Sequence, residues 1–224
     1  MSYGKIILDY GDSLIRESEV DILKTNQWLN DAVIGFYFEY LGNQAKSHDN
    51  QPKIELYGPA VTQLIKLIPT YEELKCILGE GLETIEYALF PVNDSSDTDK
   101  GSSGSHWSLL VYSRPDDKFM HFDSYGGSNE YAARLIHRKL TPLFSSTSTF
   151  HDFEGCCAQS NGRDCGLHVI MNAELIIDFI RKSSSKTSRP SLWKNGLSTA
   201  TPKQADSKRQ LLIELIESLS KSRK

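Results

Sequence analysis

A cysteine at position 165 stands where the polar, turn-prone run Gln159-Ser160-Asn161-Gly162-Arg163-Asp164 breaks into the apolar segment Leu167-His168-Val169-Ile170-Met171. The break places Cys165 at the mouth of a helix, where free N–H groups and the positive end of the dipole favour thiolate over thiol. Gln159, six residues upstream, can offer a side-chain amide to the same spot. Together they suggest a thiol nucleophile with an anion-stabilising donor beside it. Such a nucleophile needs a base, usually a histidine oriented by a carboxylate. His106 begins one expected strand and Asp123 ends the next. In an antiparallel pair those positions share one end of the ladder, so local geometry alone can make them neighbours. Taken singly, each residue has a plainer reading. His106 would be structural, Asp123 a turn nucleator, Cys165 a small buried hydrophobe and Gln159 surface polarity. Their joint position at element boundaries that can converge is what favours catalysis.

The elements that must position them follow from periodicity. Ile6-Ile7-Leu8 reads as a strand, Gly11-Asp12 as a turn, and Leu14 to Leu23 as an amphipathic piece. Asn30 or Asp31 caps a helix over Ala32 to Leu41 that is apolar nearly all round, with Gly42 stopping it. Ile54 to Tyr57 is a candidate strand or turn, and Pro59 to Leu67 and Thr70 to Leu78 are short helices. Thr84 to Val92 reads as a strand, and Asn93 to Ser105, rich in Asp, Ser and Gly, as a mobile loop long enough to be a lid. Ser105 to Tyr112 and Lys118 to Asp123 make the hairpin across the turn Arg114-Pro115-Asp116-Asp117. A helix over Asn129 to Leu143, an edge strand over Phe150 to Glu154, and helices over Cys165 to Arg181 and Asp206 to Leu219 complete the chain. Strands and helices mix without a regular βαβ alternation, which gives an α+β class.

Composition narrows the rest. A chain of 224 residues, 39% hydrophobic and 24% charged, suits one soluble domain over 1–224, with a loose Ser/Lys/Thr/Pro-rich segment at 183–205 before the last helix. Four cysteines without a C-x-x-C and six scattered histidines give neither a disulfide framework nor a metal site, and no cofactor motif occurs. The expectation is an intracellular protein with free thiols, in cytoplasm or nucleus, with no membrane span and no secretory leader. Residues 1–180 carry 14 Lys/Arg against 26 Asp/Glu, whereas 181–224 carry 11 against 3. An acidic body argues against nucleic acid and suits a basic partner surface or plain solubility.

Ser105-His106-Trp107-Ser108-Leu109, Phe122-Asp123-Ser124 and Gln159-x-Asn161-Gly162-x-Asp164-Cys165-Gly166 together resemble the ubiquitin-like-protein proteases, the Ulp or sentrin-specific cysteine protease family. Trp28-Leu29-Asn30-Asp31 matches that family's upstream motif, and the likeness spans roughly residues 1–180. The order His, Asp, Gln, Cys is the family's, so the resemblance implies a papain-like fold with a central mixed sheet flanked by helices and a circularly permuted order of catalytic residues. It implies Cys165 as nucleophile, His106 as base and then acid, Asp123 as orienting carboxylate, and Gln159 with the Cys165 N–H as oxyanion donors. Trp28 and Trp107 match a narrow aromatic tunnel for a modifier ending in Gly-Gly, and Asp31 would meet the modifier's basic tail. The chain looks most like the deneddylase branch. That implies a monomeric isopeptidase for the neddylation modifier (Rub) and its conjugates, with trimming of its precursor as a second use of the site. The same chemistry on a sentrin-class modifier or ubiquitin, and a non-catalytic modifier-binding module, are the alternatives. Arg163 and the loop 93–105 depart from the family pattern. Cys156 and Cys157 read as structural or incidental, or as redox partners of Cys165.

Overall fold

The structure is a computed structural model and describes residues 4–45, 51–95, 104–153, 155–182 and 201–222. A small hairpin opens the chain, β1 (Ile6–Tyr10) against β2 (Ser13–Arg16), followed by α1 (Glu17–Lys24) and α2 (Asp31–Ala45). Then come β3 (Ile54–Leu56), α3 (Pro59–Leu67), α4 (Tyr71–Leu78), β4 (Tyr87–Asn93), β5 (Trp107–Ser113) and β6 (Lys118–Phe122). The last elements are α5 (Glu130–Phe144), β7 (Thr149–Asp152), α6 (Cys165–Lys182) and α7 (Pro202–Ser222). The α+β expectation holds.

The main sheet runs β3-β4-β5-β6-β7. Its centre, β4-β5-β6, is antiparallel, and both edge strands pair parallel. Side chains alternate between two faces along each strand. Leu89, Leu109, Val111, Met120 and Phe122 enter one core with α1, α2, α6 and α7. Phe90, Leu110, Tyr112 and Phe119 enter the other with α3, α4 and α5. Burial on both faces explains why the central strands are almost continuously apolar rather than alternating. It also makes the β5–β6 ladder a rigid platform, on which Leu109 faces Phe122. That register leaves His106 and Asp123 at the same end.

Three boundaries differ from the sequence expectation. The piece from Leu14 to Leu23 divides into β2 and α1 because the turn at Gly11, with φ of 58°, folds Ile15 back onto Leu8. Glu39 of α2 pins that turn, accepting from Asp12 N at 2.9 Å and Ser13 Oγ at 2.6 Å. Gly42 does not end α2, which continues to Ala45. One interior glycine costs a helix only about 1 kcal/mol, and this helix is held by packing. The strand expected from Thr84 starts at Tyr87, after a single 3₁₀ turn over Leu82–Thr84. Of the segment expected to be loose, 183–200 lie outside the described residues and 202–205 are helical. Residues 96–103 of the expected mobile loop also lie outside them.

Candidate active site

The hairpin end delivers the first pair. His106 Nε2 lies 2.6 Å from Asp123 Oδ1, with both residues buried. Asp123 is itself fixed, accepting the backbone N–H of Tyr125 on Oδ1 at 2.8 Å and that of Asn129 on Oδ2 at 2.9 Å. Asn129, just ahead of α5, in turn donates through Nδ2 to the carbonyl of Val92 at 2.9 Å. Burial works to raise the Asp123 carboxyl, but its hydrogen bond from His106 and the two backbone donors outweigh it and leave the pKa lowered. For His106 burial works downward. Hydrogen bonds to Asp123 and to the Cys165 side chain, and their charges, outweigh it and push the imidazole up to about 9. With Nε2 taken by Asp123, Nδ1 is the nitrogen left for the thiol.

Cys165 is the first residue of α6 and is buried. The turn before it is built by Asn161, whose Oδ1 accepts from Arg163 N at 3.0 Å and Asp164 N at 3.1 Å. Arg163 thus serves the turn through its backbone, while its side chain is exposed. Gly166 is required by a close approach. A Cβ there would lie 2.9 Å from Leu29 Cβ and 3.2 Å from Ile34 Cδ1. The missing side chain lets the Trp28–Asp31 segment press against the start of α6.

That segment is held at both ends. Asn30 caps α2 by accepting from Val33 N at 3.1 Å, and donates to Glu19 of α1 at 3.1 Å. The carbonyl of Leu29 accepts the indole N–H of Trp107 at 3.1 Å. Trp107, next to His106, is therefore tied to the residue after Trp28. The Trp28 side chain stays 50% exposed, far more than a core tryptophan. Asp31 is exposed in the first turn of α2. All three expected substrate residues thus lie next to the His106–Asp123 pair or on the segment held against α6.

Gln159 is held by its carbonyl oxygen, which accepts from Ser124 Oγ at 2.8 Å, and by its backbone N–H on Ser124 O at 3.0 Å. Its amide nitrogen donates one hydrogen to Asn161 O at 2.6 Å, which leaves the second hydrogen of the amide for another acceptor. Sequence reasoning gave no supporting role to Ser124, Asn129, Asp94 or Arg209. Asp94 clamps the base of the 93–105 loop, accepting from Ser105 N at 2.7 Å and His106 N at 3.1 Å. Lys66 ties the same base by donating to Asn93 O at 2.7 Å and Ser95 O at 2.5 Å. An Asp twelve residues before His106 gave no periodic signal. Arg209 bonds Asp164 Oδ1 at 2.7 Å from the distant helix α7.

Cys156 lies under the pair, its thiol donating to Asp123 O at 3.0 Å, and burial pushes it up to about 11. That placement favours the structural reading of Cys156 over the redox one. A second histidine constellation, Ser108 Oγ to His121 Nε2 at 2.9 Å and His121 Nδ1 to Asp152 Oδ1 at 2.8 Å, has the residue types of a hydrolase triad. Ser108 and His121 are sealed inside the sheet, so it laces β5, β6 and β7 together rather than meeting a substrate. Among the described residues no cluster of His, Cys, Asp and Glu could hold a metal, and no helix is long and apolar enough to cross a membrane.

The comparisons with known proteins agree with one another. A family model described as the Ulp1 protease family, C-terminal catalytic domain, matches residues 27–197. Sentrin-specific protease 8 of Homo sapiens is 34% identical over 220 residues, covering 96% of this chain and 98% of that protein. NEDD8-specific protease 1 of Arabidopsis thaliana is 31% identical over 215 residues, covering 95% and 93%. The X-ray structure of the C-terminal Ulp1 protease domain in complex with Smt3, the yeast ortholog of SUMO, superposes with a TM-score of 0.71 at 15% identity. It covers 98% of this chain and 90% of that one. The likeness bears out the papain-like α+β architecture.

Proposed function

The chain belongs to the Ulp1 protease family, cysteine proteases of ubiquitin-like modifiers, and from that premise we propose that its modifier is the neddylation type (NEDD8, or Rub). The proposed reaction is release of that modifier from target lysines by cleavage after its C-terminal Gly-Gly, with trimming of the precursor as a second use of the same site. One domain, residues 1–224, carries it out. The observation that carries the chemistry is the 2.6 Å hydrogen bond between Asp123 and His106 at the sheet end, with Cys165 beside the imidazole.

Cys165 passes its proton to His106, and its sulfur attacks the carbonyl carbon of the modifier's last glycine. The oxyanion is held by the Cys165 backbone N–H and the remaining amide hydrogen of Gln159. The tetrahedral intermediate collapses, His106 gives its proton to the departing lysine amine, and a thioester remains. Water attacks the thioester with His106 as base, which frees the modifier carboxylate and restores the thiol. Asp123 holds the ring in one tautomer throughout. Trp28 and Trp107 wall the entry, where two indoles leave room only for glycines, and Asp31 faces the modifier's basic tail. The relatives named for NEDD8 support the choice of modifier over the sentrin class.

The test is labelling by electrophilic probes built on NEDD8, SUMO and ubiquitin. We expect Cys165 to be modified by the NEDD8 probe at least tenfold faster than by the others. Preference for SUMO or ubiquitin overturns the modifier assignment. A Cys165→Ala variant that still cleaves a NEDD8 conjugate overturns the nucleophile, and one that binds but never cleaves leaves it standing.

A further inference from the structure

The helix α7 sends two buried cations into the rest of the molecule. Lys208 Nζ bonds Glu174 Oε1 of α6 at 2.5 Å and Tyr37 OH of α2 at 2.7 Å. Arg209 Nη2 bonds Asp164 Oδ1 at 2.7 Å, with the two side chains only 4% and 3% exposed. Asp164 immediately precedes Cys165. Its second oxygen accepts from Asn161 Nδ2 at 2.7 Å, and its backbone carbonyl accepts from His168 N at 3.0 Å in the first turn of α6. One residue therefore fixes the turn, the helix start and the position of the thiol, and it does so as a buried anion. An unpaired carboxylate there would oppose negative charge building on the neighbouring sulfur. The Arg209 guanidinium cancels it. The family match ends at residue 197, so this cation comes from outside the matched stretch.

We propose that Arg209 is a positioning residue for the thiol reaction: its pairing with Asp164 anchors the start of α6 and neutralises the buried charge beside Cys165. The proposal rests on Cys165 as nucleophile. α7 is then a working part of the site and not only a cover for α1, β1 and α6.

The full chain is assayed in three ways. These are the rate of Cys165 alkylation by iodoacetamide, followed by mass spectrometry, kcat/KM on NEDD8 carrying a C-terminal aminocoumarin, and NEDD8 affinity in a Cys165→Ala background. Arg209→Gln should slow alkylation and kcat/KM at least tenfold while affinity stays within twofold. Arg209→Lys, which keeps the charge, should stay within about threefold of the parent in both rates. Adding Asp164→Asn to Arg209→Gln should recover most of the alkylation rate, because no charge is left to cancel. Lys208→Met removes the other buried cation of α7 and should leave alkylation within twofold.

Overturning results are Arg209→Gln as reactive as the parent, a double variant no faster than Arg209→Gln, or Lys208→Met as slow as Arg209→Gln. If Arg209→Gln does not fold, Arg209→Lys and Lys208→Met still decide. Equal slowing of both then means a docking contact only. Cys165→Ala cleaving at the parental rate would instead sink the nucleophile and leave the ion pair unconnected to catalysis.

Discussion

At His106 two influences oppose each other on one ring. Burial lowers the pKa, while Asp123 and Cys165, which hydrogen-bond it, raise it to about 9; the Tyr125 ring lies at 5.9 Å. The folded value exceeds the ordinary one of about 6.5. The contribution to stability is therefore fully present below that value and is lost as pH rises through about 9. For catalysis the protonated ring is the acid, so kcat/KM should fall on the alkaline side with a midpoint near 9. Asp123→Asn should move that midpoint down and cut kcat at least a hundredfold with little change in modifier affinity. A pH–rate profile with a binding assay checks both. At this scale the candidate site was legible as geometry: the nearness of His106 and Asp123 was readable because they sit at the ends of one hairpin, and the place of Cys165 because it opens a helix. Gln159 was readable as a donor, but not that Asn161 takes one of its hydrogens. The roles of Asp94 and Asn129 were not, because the Asp94 carboxylate acts on backbone N–H groups and Asn129 gives its own N–H to Asp123, contacts that no residue pattern reports.

Elements meet at glycines of opposite consequence. Gly166 lets α6 approach Leu29, and Gly166→Ala should force the two apart, at about 1–3 kcal/mol for an overpacked contact. Because Leu29 carries Trp107 on its carbonyl, KM should rise several-fold as well; urea unfolding and steady-state kinetics measure the two effects. Gly42 sits inside α2, where an added Cβ meets only Leu56 Cβ at 4.0 Å. Gly42→Ala should raise stability by about 0.5–1 kcal/mol, read as a higher urea midpoint at unchanged slope. The sequence misread Gly42 as a stop because a glycine after an apolar run looks like a C-cap. Tertiary packing overrides that weak local signal. It misread 13–16 for the same kind of reason, since the pull onto β1 is fixed by Glu39 of α2, more than twenty residues on. The central hairpin and α6 were legible because their signals are local.

Over the whole molecule, charge is distributed less simply than the sequence split suggests. The basic stretch after residue 180 is not all solvated: Lys208 and Arg209 are internal counterparts of Glu174 and Asp164. These pairs were illegible because their partners lie 34 and 45 residues away, and Arg209 also reaches the carbonyl of Ile22, 187 residues back. Under the proposed function, the acidic remainder faces a modifier with a basic tail. Raising salt from 50 to 500 mM should therefore lower kcat/KM at least fivefold, mainly through association, since screening shortens the reach of exposed charges to a few ångströms. Stopped-flow binding at both salts measures it. The placement of α7 also orders events in time. On a ribosome the chain emerges from its N-terminus, so the hairpin, both sheet faces and Cys165 are synthesised before residue 209 exists. Under the Arg209 proposal, until α7 docks a nascent chain holds a thiol beside an uncancelled carboxylate and should react more slowly than the finished protein.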